Sequence, residues 1–243
     1  MALYTEAAAR ACLRNKDGKR VFYLGKDDRL TDAARDFLRE NHVEILPAEQ
    51  ARPAGFRTLF GATITEKPEH MTHLNSEILV MKDHPRIQFR GEIDSLEAEI
   101  LLAQKDAAAE GYEAVCKDLE EILGFVRRLI RCDVLGEPLP AMTLCGLTEK
   151  ELRERSHNPA KYYGEPHFMP DYQMPRALLS CNRVRTAVRR TELACYRAFR
   201  DENGNPTRLD LIRGLNRLSS LLWIMMIRIK ANQYGGKSHG TRP

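Results

Sequence analysis

The chain has 243 residues, of which 30% are charged and 43% hydrophobic, with a formal net charge of +4. That length supports one large core or a main domain with a small appendage, and so mild a positive balance gives no argument for nucleic acid as a partner. The six cysteines include no C-x-x-C pair and follow no signal-peptide pattern, and the longest apolar run, Leu221 to Ile227, is too short to span a bilayer; a disulfide framework, a zinc knuckle and a membrane role are set aside, and a reducing cytoplasmic setting is expected.

In chain order, Tyr4 to Asn15 is alanine-rich with Leu3, Ala7, Ala11 and Arg14 at helical spacing, which predicts a short helix ending at the Lys-Asp-Gly turn. Such an amphipathic helix either packs on its own domain or docks on a protein shell. Val21 to Leu24 and Val43 to Leu46 read as strands, and between them Thr31 reads as the N-cap of a helix running to Asn41. Residues 1–47 are thus expected to form a small α/β leader. Ala48 to Glu69, interrupted by Pro53, Gly55, Gly61 and Pro68 and without a sustained period, reads as a linker or mobile loop (48–70) ahead of a main domain at 71–232.

That main domain reads as helical. A helical pattern runs from Ile93 to Glu110, and a second runs from Tyr112 to Leu135 with Val115, Leu119, Ile122, Val126 and Ile130 on one side. Gly136 to Pro140 breaks the chain, Thr148 reads as the N-cap of Glu149 to Ser156, and Asn158 to Pro175 reads as a loop rich in proline and aromatics. The last two helices are Leu178 to Phe199 and Leu209 to Lys230, the latter with a bundle seam of Leu211, Leu215, Leu218, Leu222, Met225 and Ile229. Residues 233–243 form a glycine-rich tail expected to be disordered.

Two charged stretches sit inside this apolar periodicity, Lys82 to Ala103 and Asn182 to Leu193. In the second, Arg185, Arg189 and Glu192 at i, i+4 and i+7 share one stripe, next to Val184, Val188 and Cys195, which turn that face inward. A buried charge needs a partner, so Asp94 is the expected partner of Arg185, which leaves Arg189 for an anion. Its guanidinium fork suits phosphate oxygens, whereas Arg190, one step round the helix, is the weaker candidate and reads equally as a solvated charge. Asn216 shares a stripe with Ile212, Trp223 and Met226 and reads as a buried amide that bonds either a neighbouring helix or a ligand. His73 has no partner at metal-ligand spacing, and no cysteine lies between Cys12 and Cys116.

These residues carry a resemblance. Lys82-Asp-His-Pro-Arg-Ile-Gln-Phe-Arg-Gly-Glu-Ile-Asp94 resembles the K-D-D-P-R-I-E-x-x-G-x-x-D-E-L segment of PduO-type corrinoid adenosyltransferases. Arg185-Thr-Ala-Val-Arg-Arg-Thr-Glu192 is similar to their R-x-x-x-R-R-x-E helix, and Leu215-Asn-Arg-Leu-Ser-Ser to their L-N-R-L-S-D. Thr72-His73-Leu74, the leader segment from Leu30 to Arg35 and the Met225-Met226 pair resemble the ethanolamine-utilization type of that family.

The resemblance implies a mainly α, PduO-like (ferritin-like, five-helix) bundle behind the α/β leader. It implies ATP and cobalamin as substrates with Mg²⁺, attack of cob(I)alamin on ATP with release of triphosphate, a corrinoid reductase as donor and ethanolamine ammonia-lyase as recipient. A homo-oligomer, dimer or trimer, in the cytoplasm and associated with a bacterial microcompartment, completes that picture. It places Asp94 and Arg185 at the catalytic site, Thr72, Lys82, Arg189 and Arg190 toward the triphosphate, Glu192 and Asn216 on the nucleotide, and Phe168 under the corrin, where an aromatic crowds the lower axial ligand off cobalt; Met169 and Tyr172 are its alternates. The family's T-G-D-x-G phosphate loop is replaced here by Thr72-His73-Leu74. The histidine and C-C-x-x-C cluster that part of the ethanolamine type carries is missing, so no metal-ligating residues are expected. Each reading has a structural counterpart: Asp94 and Arg185 as an ion pair clamping two helices, Phe168 as a core aromatic, and the whole chain as a bundle scaffold or a nucleotide-binding regulator without transfer activity.

Overall fold

The computed structural model describes residues 2–16, 18–48 and 56–235, which divide into two compact units: residues 1–69 with 77–79, and residues 70–76 with 80–243. The first unit runs β1 (Leu3–Tyr4), α1 (Glu6–Ala11), β2 (Arg14–Lys16), β3 (Lys19–Leu24), β4 (Arg29–Leu30), α2 (Asp32–Glu40), β5 (Glu44–Pro47), β6 (Phe56–Thr58) and β7 (Thr63–Ile64). Thr5 and Thr31 cap the two helices by accepting from the backbone N–H of Ala8 and Ala34. The first helix ends at Ala11, short of the expected Asn15, because Arg14–Lys16 pairs antiparallel with β3. Sheet pairing outweighs a helical pattern too short to hold on its own. β5 pairs parallel with β3, and Ala9, Phe22, Ala34, Phe37, Leu38 and Val43 close a small core. Within the segment expected to be a linker, residues 49–55 lie outside the described residues, while β6 and β7 form a hairpin, and β6 also pairs parallel with Ile78–Leu79.

The second unit is the bundle. It contains β8 (Met71–His73), most of its contacts coming from the helices that follow β9 (Ile78–Met81): α3 (Pro85–Ala109), α4 (Glu113–Leu135), the hairpin of β10 (Thr143–Leu144) and β11 (Leu147–Thr148), α5 (Glu149–His157), α6 (Pro159–Tyr163), α7 (Arg176–Ala198) and α8 (Leu209–Lys230). The third helix starts eight residues before the expected Ile93, since Pro85 sits in the first turn and the His84 ring accepts from Arg86 N–H. Gly136 ends α4 in the left-handed conformation at φ 69°, and Thr148 and Glu151 form a capping box on α5. The loop expected between Asn158 and Pro175 contains the short α6.

α3 packs on α4 and α7, and α8 packs on α7 and α5. The predicted seam of α8 is fully inside, together with Val184, Val188 and Cys195 of α7. Two ion pairs set the antiparallel register of α3 against α7: Arg190 Nε lies 3.1 Å from Glu92 and Arg183 Nε 2.6 Å from Glu99. These pairs are two helical turns apart on both helices. At the start of α3, the buried carboxylate of Asp133 on α4 takes Arg86 at 2.7 Å and Arg90 at 2.6 Å, and Arg90 also donates to the carbonyl oxygens of His73 and Leu74. This clamp ties the β8 segment to the bundle. Tyr234, in the tail expected to be disordered, is only 8% exposed and donates to Asp118 at 2.6 Å; residues 236–243 of that tail lie outside the described residues.

Candidate active site

The α7–α8 face collects most of the expected site. Glu192 accepts from the Asn216 amide at 3.1 Å, and two turns away Arg185 lies over the Trp223 ring at 5.8 Å. The seven-residue step is the same on both helices, so these two contacts fix the antiparallel register of α7 and α8. Arg185 also donates through Nε and Nη2 to Asn182 Oδ1 at 3.1 and 2.9 Å. Arg189 lies one turn along between the two contacts, exposed, and makes no ion pair among the described residues. Partial burial lowers the Arg185 pKa and the neighbouring Arg189 lowers it further, yet a guanidinium stays charged at any physiological pH. Two adjacent guanidinium groups without a carboxylate between them have the charge and the donors to suit a multivalent anion.

Phe168 reaches the same face from the α6–α7 loop. Its ring stacks on Trp223 at 5.1 Å and 23°, and the His167 ring stacks on Trp223 at 5.7 Å and 10°. Lys230, at the end of α8, holds this loop by pairing with Glu165 at 2.5 Å and lying 5.2 Å over the Phe168 ring. Of the three aromatic or thioether candidates, Phe168 alone is packed; Met169 and Tyr172 are each 86% exposed. Trp223 thus joins the arginine stripe to the loop. In the sequence it is only a stripe neighbour of Asn216, and its being the single tryptophan of the chain is the one signal that marks it out.

Other expectations are corrected. Asp94 and Arg185 do not pair: Asp94 is exposed and makes no ion pair among the described residues, while Arg185 turns to Asn182 and Trp223. Helix geometry explains it. On α3 the inward face is Phe89, Ile93, Leu96 and Ile100, and one step of about 100° beyond Ile93 carries Asp94 round to the outer side. Arg190 leaves the stripe for the opposite flank of α7, where Glu92 neutralises it. Asn216 is exposed rather than buried, because the groove between α7 and α8 is open at its level; its amide oxygen accepts from Arg217 at 2.8 Å. Thr72, half-buried in β8, and Lys82, exposed just after β9, make no hydrogen bond or ion pair with the α7 stripe among the described residues.

Among the described residues no group of three His, Cys, Asp or Glu side chains converges as a metal site. The thiols of Cys181 and Cys195 are pushed up to about 12 by burial, so both are protonated near neutrality. A Mg²⁺ ion that travels with a polyphosphate takes most of its ligands from phosphate and water, so the absence of such a group is compatible with it.

Comparison with known proteins bears on this geometry. A family model described as cobalamin adenosyltransferase matches residues 62–229, which spans the whole bundle from β8 to α8. The chain is similar to the corrinoid adenosyltransferase EutT of Escherichia coli, with 31% identity over 246 residues covering 92% of this chain and 90% of that protein. It is similar to the corrinoid adenosyltransferase EutT of Salmonella typhimurium at 30% identity over the same shares.

Proposed function

The chain belongs to the cobalamin adenosyltransferase family, and on that premise we propose that it transfers the adenosyl group of ATP to cob(I)alamin, releasing triphosphate and making adenosylcobalamin for ethanolamine ammonia-lyase. The observation that carries this reading is the Trp223 cluster, which puts a cationic anion site (Arg185, Arg189) and an apolar aromatic (Phe168) on one face. Those are the two environments the reaction needs.

In the transfer step the cob(I)alamin electron pair attacks C5′ of ATP, a cobalt–carbon bond forms, and the C5′–O bond breaks with its electrons leaving on triphosphate. Negative charge therefore builds on the phosphate chain. Arg189, with no carboxylate to satisfy, is placed to hold that charge, with Arg185 behind it and Lys82 and Mg²⁺ as further cations. Glu192 and Asn216, bonded to each other, offer a carboxylate and an amide edge to the ribose and base. No general base is required, since no proton is transferred.

Phe168 serves the reduction that precedes attack. An apolar ring under the corrin keeps water and bases off the lower face of cobalt, which makes the one-electron reduction of cob(II)alamin by a corrinoid reductase attainable. Pro166 and Pro170 limit the backbone on either side of it. Phe168→Ala is expected to leave ATP affinity near wild type, to lower turnover from cob(II)alamin by on the order of tenfold or more, and to cost much less when cob(I)alamin is supplied chemically. Electron paramagnetic resonance of cob(II)alamin with ATP and protein is the check. A scaffold binds neither substrate and a regulator binds ATP alone, so an unchanged cobalt spectrum in wild type refutes the transfer reading.

The exposure of Asp94 and the separation of Thr72 and Lys82 from the α7 stripe support a homo-oligomer, in which one copy supplies these groups to the arginine stripe of another. A cytoplasmic location beside a bacterial microcompartment follows from the ethanolamine connection of the relatives' type.

A further inference from the structure

The α5–α8 groove carries a charge imbalance that the α7–α8 face does not use. Lys150, Arg153 and His157 recur on α5 at steps of three and four and share a face, and Arg213 and Arg217 lie one turn apart on α8. Both stripes line one cleft of about 700 Å³. Two carboxylates reach it: Glu149 accepts from Met142 N–H at 3.5 Å, and Glu154 is held by Lys161 and the Tyr162 hydroxyl while also facing the charge of Lys150, so they only partly offset Lys150, Arg153, Arg213 and Arg217. Among the described residues Lys150, Arg153, Arg213 and Arg217 form no ion pair, and the Arg217 Nε is buried without a hydrogen-bond partner. Across α3 and α7 the same chain faces arginines with glutamates, as Arg183 with Glu99 and Arg190 with Glu92. In the α5–α8 groove it faces cations with cations, a repulsion that a multivalent anion would relieve.

We propose that this cleft is a second polyanion site, built for linear polyphosphate, that receives the triphosphate leaving the α7–α8 face; this rests on the adenosyl-transfer reading above. The two places are joined by contact. Arg217 Nη1 donates to Asn216 Oδ1 at 2.8 Å, and Asn216 in turn donates to Glu192 on the arginine stripe. A phosphate chain freed from Arg189 would pass the Glu192–Asn216 contact to reach Arg217 and Arg213, where a second set of guanidinium groups takes up its charge. The lining of the cleft includes no phenylalanine, tyrosine or tryptophan, and its one ring is the imidazole of His157.

The test is calorimetric titration of the full-length protein with magnesium tripolyphosphate. Wild type is expected to show two binding events; Lys150→Gln/Arg153→Gln should weaken one by about tenfold while leaving ATP affinity unchanged, and Arg189→Ala should weaken the other. Lys150 and Arg153 are exposed, so folding is not at stake, and Arg213→Gln supplies an independent variant on α8. A single event, with the same affinity in the α5 double variant and in Arg213→Gln, overturns the proposal. Titration with a non-hydrolysable ATP analogue separates the sources of the anion. If the analogue fills the α5–α8 cleft as tightly as tripolyphosphate, the cleft is a nucleotide site and product receipt is refuted. If tripolyphosphate binds there but no adenosylcobalamin forms, the transfer reading falls and the anion site stands.

Discussion

Trp223 shows how much of a site can hang on one side chain. Its indole is stacked by His167 and Phe168 and faced by the Arg185 guanidinium, so it sets the position of that arginine and of the loop aromatic together. A cation–π contact at a partly exposed position contributes about 1 kcal/mol, and an aromatic pair a similar amount. Trp223→Ala is therefore expected to raise the KM for ATP several-fold and to lower kcat from cob(II)alamin, whereas Trp223→Phe should recover most of both. Steady-state kinetics on the two variants decides it: equal kinetics for Trp223→Ala and wild type would reduce the indole to packing. Arg185 and Phe168 are legible in the sequence but their common neighbour is not, because helical spacing relates residues on one helix and says nothing about which loop will fold onto it. Asp94 failed for a related reason. Charge need alone suggests a pairing with Arg185, but the angular offset of one residue from Ile93 sends it to the outer side of α3.

At the scale of elements, the long helices were legible because their apolar seams persist over five or six turns: α8 runs from Leu209 to Lys230 as expected, and the Thr148 cap of α5 is present. The β6–β7 hairpin and α6 were not, since two- to five-residue elements leave no period to read. What holds the helices in register is polar. The Asp133 carboxylate is fully buried between Arg86 and Arg90, so Asp133→Ala would strand two partly buried guanidinium groups; a loss of about 3 kcal/mol or more in urea unfolding is expected, with the β8 segment released first. Asp210 supports the start of α8 differently. Burial alone would raise its pKa, but hydrogen bonds from Arg208 and from Leu139 N–H bring it down to about 2. A carboxyl whose folded pKa is depressed contributes stability above its unfolded value of about 4, and that contribution fades as pH falls toward 2. Chemical denaturation between pH 6 and about 2 should show an acid limb that Asp210→Asn flattens; a parallel profile in the variant would remove Asp210 from the account.

For the whole molecule, the division of labour between surfaces matters more than any single contact. One flank of α7 is closed against α3 by Arg183 and Arg190, each matched to a glutamate, and the other flank is open with Arg189 unmatched. Asp94 lies on the outside of α3, away from the open flank of its own chain. If a second copy brings the two together, inactive Asp94→Ala and Arg185→Ala proteins should regain a fraction of wild-type turnover when unfolded together and refolded as a mixture. No recovery in the mixed sample, with each variant shown to assemble like wild type, would place the whole reaction within single chains. The family's motifs were readable along the chain, but the side on which each residue sits, and hence which chain completes which site, is a property of helix packing that no linear pattern records.

The chain has one tryptophan, and it stands where the arginine stripe of α7 meets the loop that carries Phe168. All indole emission of the protein therefore originates at the proposed reaction face, and corrinoids absorb where indoles emit. Arrival of the corrin beside Phe168 would extinguish that emission by energy transfer, while filling the α5–α8 cleft, across α8, would disturb it far less. The molecule thus carries a built-in optical gauge of which of its surfaces is occupied, and the order of substrate arrival and product departure can be followed in unlabelled protein.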